Sequence, residues 1–181
     1  MRALRISLPF TAFMMLFILI ACASTKFSAV WKDETYQGRP EKVLVINAFP
    51  SPASRRLFEE EFVKALKDRR IDGVVSYANM PDPIVSDMNA IAAQANAAGA
   101  DAVLINKPLG TTQGETSGPG VMYGGGVAYK DVYVNTQTDI YDMKSNKLIM
   151  SATAETWINK GKPYPAQIRS YVKDLVKKLS R

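Results

Sequence analysis

Apolar positions along this chain follow two rhythms, and the switch between them marks the elements. Lys42–Phe49 (KVLVINAF) is a β-branched run of strand length closed by Pro50, which predicts a buried strand. Ser51 then offers an N-cap with Pro52 at the first helical position. Phe58, Phe62, Ala65 and Leu66 make an apolar stripe on a helix that Gly73 ends. Arg55 and Arg56 precede Glu59 and Glu60 by four residues, a spacing for ion pairs on that helix's exposed face. Val74–Ala78 predicts a second strand, and Pro81-Asp82-Pro83 a turn, with Asp82 or Ser86 capping a helix that runs through Ala98. Met88, Ile91, Ala92 and Ala95 would be its buried face and Gly99 its C-cap. Ala102–Asn106 is a third short apolar strand. Strand, helix, strand, helix, strand with short links argue for right-handed crossovers and parallel pairing.

The rhythm breaks at Gly110–Gly126, where seven of the chain's eleven glycines predict a long loop. Val127–Tyr141 then alternates. Val132, Val134, Thr136, Thr138 and Ile140 share one face, and Tyr133, Asn135, Gln137, Asp139 and Tyr141 the other, which is polar and expected to be half-exposed. Asp142–Lys147 is a hairpin turn and Leu148–Trp157 the returning strand. After a link at Lys160–Pro165, the stripe Ile168, Val172, Leu175, Val176 and Leu179 predicts a last helix. The fold class is therefore α/β: one βαβαβ domain of two or three layers, with a mixed sheet, a C-terminal β-hairpin and a final α-helix.

The N-terminus follows another logic. Arg2 and Arg5 precede Ile6–Ala21, which holds no charged residue and matches a signal-peptide core. Those residues span roughly 24 Å as a helix, short of the ~30 Å hydrocarbon core, so a permanent membrane span is the second choice. The run ends in Leu19-Ile20-Ala21-Cys22, which resembles a bacterial lipobox. That resemblance implies a diacylglyceryl group on the Cys22 sulfur and cleavage before it. At about 0.8 kcal/mol per buried CH₂, two or three chains anchor stably. Ala23, not aspartate, follows the cysteine, which by the same resemblance favours the outer over the inner membrane. The expected organisation is a signal peptide over 1–21, the lipidated cysteine with a tether and docked segment over 22–41, and an α/β periplasmic domain over 42–181. Within the second part, Ala23–Lys26 is the tether and the aromatic stretch Phe27–Trp31 docks on the domain.

Charge and composition narrow the chemistry. The +6 of the whole chain falls to +4 without Arg2 and Arg5, a modest excess that does not call for nucleic acid. Cys22 is the lone cysteine and there is no histidine, so disulfides, Ser–His–Asp and Cys–His arrangements are excluded and no cofactor or metal is expected. Glu59-Glu60-Glu61 diverge by about 100° per helical residue and cannot converge on one ion. Gly118-Pro119-Gly120 lacks the third glycine of a dinucleotide fingerprint, and a strand follows it. Ser170–Lys173 fits S-x-x-K, but the S-D-N and K-T-G elements that such enzymes need are missing. A non-enzymatic module is expected.

Two surfaces stand out. Trp31, Tyr123, Tyr133, Tyr141 and Trp157 are candidates for a partner surface, because aromatics on loops and half-exposed strands commonly anchor interfaces. The alternative is a small-ligand crevice at the carboxyl ends of the first three strands, lined by Asn47, Ser51, Arg55, Ser76, Asn79, Asn106 and Lys107. Residues 160–181 carry seven cations against Asp174, which suits a helix C-terminus or anionic headgroups. With Cys22-Ala23-Ser24-Thr25, Trp31-Lys32-Asp33, the K-V-L-V-I strand, Arg56 and Phe58-Glu59, Gly99–Leu104 and the Tyr141–Ala152 hairpin in place, the chain resembles a family of small bacterial lipoproteins. Its order of elements is also similar to the TolB amino-terminal domain and the accessory lipoprotein LpoB. The resemblance implies an envelope binding or assembly-accessory role, with the membrane and another envelope protein as partners, and it carries no catalytic residue.

Overall fold

Lys42–Asn47 forms a strand whose residues Val43 to Asn47 are all buried, because it is flanked by parallel neighbours and covered on both faces. The computed structural model describes residues 25–80, 87–116 and 129–179. The strands are β1 (Thr25–Lys32), β2 (Lys42–Asn47), β3 (Asp72–Val75), β4 (Ala102–Thr116), β5 (Tyr129–Asp142) and β6 (Lys147–Ile158). The helices are α1 (Pro52–Lys67), α2 (Met88–Ala98) and α3 (Tyr164–Leu179). They build a six-stranded mixed sheet in the order β1-β6-β5-β4-β2-β3. β2 runs parallel to β3 and β4, and the pairs β4–β5, β5–β6 and β1–β6 are antiparallel. This is the α/β fold with C-terminal hairpin and final helix that the hydrophobic pattern implies.

The helices occupy two layers. On one face α1 and α3 pack Phe58, Phe62, Leu66, Tyr171, Val172, Leu175 and Val176 against Val43, Val45, Leu104, Ala152 and Ala154. On the other, Ile91 and Ala95 of α2 meet Leu44, Ile46, Val103 and Ile105. α2 covers β2 and the first half of β4, and no described helix covers that face of β5, β6 and β1. Caps behave as the sequence suggests where they are described. Ser51 Oγ accepts from the Ser54 N–H at 3.3 Å, and Gly99 closes α2 in the left-handed region at φ 64°. α2 begins at Met88 with Asp87 as N-cap. Asp82 and Ser86, the expected caps, lie outside the described residues.

Several expectations are corrected. β4 does not stop at Asn106 but continues to Thr116, pairing with β5 from Ala102↔Asp142 to Thr116↔Tyr129. Gly110–Thr116, the first part of the expected glycine loop, is thus strand, and the rest of that loop lies outside the described residues. The register shifts between Pro108 and Gly110, Leu109 bulges out, and Gly110 adopts φ 132°, which glycine tolerates. Pro108 is accommodated because β2 ends opposite Asn106, so nothing on that side awaits its missing N–H. The second strand ends at Val75, not Ala78, where the Ser76 N–H is shared between the Val45 carbonyl and Glu59 of α1 and the Tyr77 N–H goes to Glu59. Phe27–Trp31 is not merely docked; it is edge strand β1, in register with Ala154–Ser151 of β6. Met88, expected in the buried face of α2, is 39% exposed at its first turn.

The β5–β6 turn is held by Asp142, whose Oδ2 accepts from the Ser145 N–H (2.8 Å) and hydroxyl (2.6 Å), while Tyr36 OH donates to Oδ1 (3.3 Å). Burial pushes this carboxyl up, but the Ser145 and Tyr36 hydrogen bonds outweigh it and hold it below its ordinary value of 3.8. A depressed folded value contributes stability above the unfolded value and loses it as pH falls through the folded one. Asp142→Asn should therefore unfold at lower urea than wild type at pH 7, with the gap closing as pH drops below 3.8. Urea titrations at several pH values measure this.

Candidate functional site

The carboxyl ends of β2, β3 and β4 bring most of the expected crevice residues together, but they engage one another. Glu59 of α1 is fully buried and is the centre of the first cluster. Its Oε1 accepts from the Asn47 N–H (3.0 Å), Arg55 Nε (3.0 Å) and Ser76 Oγ (2.8 Å). Its Oε2 accepts from the Ser76 N–H (2.7 Å) and the Tyr77 N–H (3.0 Å). Arg55 Nη2 also donates to Ser76 Oγ at 2.8 Å. The Arg55–Glu59 pair, expected on an exposed face, is therefore buried, with Arg55 4% exposed. Arg56–Glu60 is the exposed pair, joined by Tyr77, whose hydroxyl donates to Glu60 Oε1 at 2.8 Å.

A second buried cluster lies beside it. Asn106 Nδ2 donates to Asn47 Oδ1 (2.9 Å), and Asn106 Oδ1 accepts from Thr138 Oγ1 (2.9 Å) and Tyr171 OH (3.0 Å). Thr136 Oγ1 meets Tyr171 OH at 2.9 Å. Burial raises the Tyr171 phenol above its ordinary value, and its Thr136 and Thr138 partners pull against that. What remains of the crevice is a cavity of about 80 Å³ whose wall is almost wholly apolar, with Phe49, Phe58, Val134, Ile158 and Ile168 around Asn47 and Asn106. Ser51 is spent as the α1 cap, and Asn79 is exposed. Lys107 points to the opposite face, where Nζ pairs with Asp139 Oδ2 at 3.2 Å. Asp139 is buried rather than half-exposed, because Ser151 and Gln137 donate to it as well. Converging polar groups are present, but they leave little room for a polar ligand.

The aromatic candidates gather better. On a pleated sheet, directly paired residues share a face. Tyr133 pairs with Trp157 and Thr112, Trp31 with Ser151, and Ser151 with Asp139, next to Tyr141. Trp31, Tyr133, Tyr141 and Trp157 thus share one face, on which Tyr141 packs at the border of the α2 core and the other three lie on strands that no described helix covers. Trp31 is 49% and Trp157 36% exposed. The Trp157 Nε1–H donates to Asp131 Oδ1 at 3.0 Å, and Thr112 Oγ1 donates to Glu155 at 3.2 Å, so the rings sit in a hydrogen-bonded polar frame. Tyr141 is half-buried, and burial with the nearby Asp139 charge raises its phenol above the ordinary value. Tyr123 and Cys22 lie outside the described residues.

Sequence reasoning missed Glu59, Thr136, Thr138 and Tyr171. A signal existed for two of them. Arg55 and Glu59 continue the Phe62 and Leu66 stripe at helical spacing, and Tyr171 falls in register with Ile168, Val172 and Leu175.

No family model matches the chain, and no curated protein does. Solved structures do. The PelC dodecamer of Paraburkholderia phytofirmans superposes with a TM-score of 0.55 at 14% identity, covering 86% of this chain and 96% of that one. A point-substituted PelC dodecamer from the same organism gives 0.51 at 13% identity, over 86% and 97%. Lipoprotein GNA1162 of Neisseria meningitidis gives 0.49 at 14% identity, over 78% and 99%. The likeness is one of fold.

Proposed function

We propose that this chain is a bacterial envelope lipoprotein, anchored through lipid on Cys22 and facing the periplasm, that binds another envelope protein without catalysing a reaction. The observation that carries this reading is the open sheet face, where Trp157 stays half-exposed beside Tyr133 and Trp31 half-exposed further along the same face. Tryptophan and tyrosine give large contact area at small entropic cost, and protein interfaces concentrate their binding energy in such residues. The edge of β1 lies next to Trp31 and offers backbone groups to a partner strand. The lipobox-like Leu19–Cys22 supports the anchor, and Ala23 supports the outer membrane. The crevice reading has less behind it, since its polar groups are bonded to each other around a small apolar cavity. PelC, similar in fold, is described as a dodecamer, so further copies of this chain belong among the partners tested.

Two experiments bear on this. Fractionation of the native host should find wild type with membranes and Cys22→Ala in the soluble fraction; membrane retention of the variant would remove the lipid anchor. A photoreactive residue at position 31 or 157 should give a discrete protein adduct in cells, whereas one at exposed Lys64 on α1 should not. Equal yields from all three positions would remove the open face as the docking surface.

A further inference from the structure

The opposite end of the sheet holds a larger hollow. It opens where β2 and β4 begin, between the C-terminal half of α1 and the β1–β2 connection, with a volume of about 620 Å³. That lies within the roughly 300–1,000 Å³ range of small-molecule sites. Its floor is apolar, with the partly buried Ile71 and Ile140 lying over the core residues Val43, Phe62, Leu66, Leu104 and Met150. Its mouth is cationic, with Lys32, Arg39 and Arg69. Arg39 Nη2 donates to the Arg69 carbonyl (3.1 Å) and Arg69 Nη1 to the Ala65 carbonyl (3.2 Å). Among the described residues, no carboxylate forms an ion pair with either guanidinium. Asp33, the acid in the lining, has its Oδ1 taken by the Thr35 N–H (2.9 Å) and hydroxyl (2.6 Å).

The mouth is also built rather than draped. Tyr36 is fastened at both ends, its N–H to the Asp33 carbonyl (3.2 Å) and its hydroxyl to Asp142 (3.3 Å). Its ring lies over Gly38 so closely that a Cβ there would come within 2.5 Å of the phenol oxygen. Two guanidiniums without a carboxylate, above an apolar floor and beside a fixed rim, are complementary to one kind of molecule.

We propose that this hollow binds a single-chain amphiphile with an anionic carboxylate or phosphate head, its hydrocarbon on the apolar floor and its head against Arg39 and Arg69. Guanidinium matches both heads through paired N–H donors, and the apolar floor gives the tail its driving force. The site is independent of the open aromatic face. It is also distinct from the lipid expected on Cys22, because β1 carries the chain from Thr25 to Lys32, roughly 23 Å as an extended strand.

The test uses the full lipidated chain in phosphatidylcholine nanodiscs with a diazirine-bearing dodecanoate, mapping adducts by mass spectrometry. Adducts are expected within 32–40, 62–71 and 140–150. Dodecanoate and dodecyl phosphate should compete and dodecanol should not. Competition by lysophosphatidylglycerol as well would support the site with a membrane lipid as source, and competition by dodecanoate without it would support a free acid. Arg39→Gln with Arg69→Gln should cut labelling about tenfold at an unchanged urea midpoint, the size expected when charge-assisted hydrogen bonds are lost. Ile71→Trp, which fills the half-buried rim, should block labelling without removing the cations. Dodecanol competing as well as dodecanoate, wild-type labelling of the double variant, or adducts confined to other segments would overturn the proposal.

Discussion

Glu59→Ala is expected to cost about 3–5 kcal/mol, the usual penalty for removing one partner of a buried ion pair. Out of a typical 5–15 kcal/mol, that takes about a fifth or more of the protein's stability. The carboxylate is fully buried and joins three elements at once. It holds the last residue of β2 through the Asn47 N–H, the exit of β3 through the Ser76 and Tyr77 N–H groups, and Arg55 one turn back on its own helix. Alanine leaves Arg55 with only its other contacts and deprives the Asn47 and Tyr77 N–H groups of their acceptor, while the Ser76 N–H keeps the Val45 carbonyl at 3.1 Å. Arg55→Met should cost less, because Glu59 would keep all three backbone donors and the Ser76 hydroxyl. Arg56→Ala, on the exposed pair one position along, should hardly move the urea midpoint. Urea unfolding followed by circular dichroism ranks the three. A Glu59→Ala midpoint close to that of Arg56→Ala would show that the clasp does not bind these elements together.

This clasp marks where the sequence can be read and where it cannot. The periodicity of Lys42–Asn47, the Ser51-Pro52 start and the Gly99 stop are local signals, and each appears where its chemistry requires. Arg55–Glu59 also has the local spacing of a surface ion pair, the same as Arg56–Glu60. What separates the two pairs is rotation around the helix, since Arg55 and Glu59 continue the stripe of Phe62 and Leu66. Charge argued for water and position argued for the core, and position won because β2 and β3 end there with N–H groups that need an acceptor. The same competition explains β4. Glycines read as a loop from Gly110 onward, yet Gly110–Thr116 is paired with β5, and tertiary pairing outweighs weak strand propensity. The gathering of Trp31, Tyr133, Tyr141 and Trp157 on one face was legible only in part. Alternation places Tyr133 and Tyr141 together, but that Trp31 joins them depends on β1 pairing with β6, more than a hundred residues away.

Asn106→Ala is the second large effect expected, about 3 kcal/mol, from orphaned partners rather than lost volume. Asn106 uses both ends of its amide, donating to Asn47 Oδ1 and accepting from Thr138 and Tyr171. Removing it leaves three buried polar groups short of a partner, at about 1–3 kcal/mol each, although Thr138 and Tyr171, 3.4 Å apart, can repair one loss between them. Tyr171→Phe removes a hydroxyl from the same cluster yet should cost only about 1 kcal/mol, because Asn106 Oδ1 keeps Thr138 and Thr136 lies 3.4 Å from the Ala154 carbonyl. The order of the two variants is therefore the informative result. Equal losses would make Tyr171 the hub and the asparagine pair secondary. The order also bears on the crevice, since Asn47 and Asn106 stand in its wall. An asparagine that holds together β2, β4, β5 and α3 has three of its four hydrogen-bonding positions engaged, which leaves one N–H for a ligand in that wall.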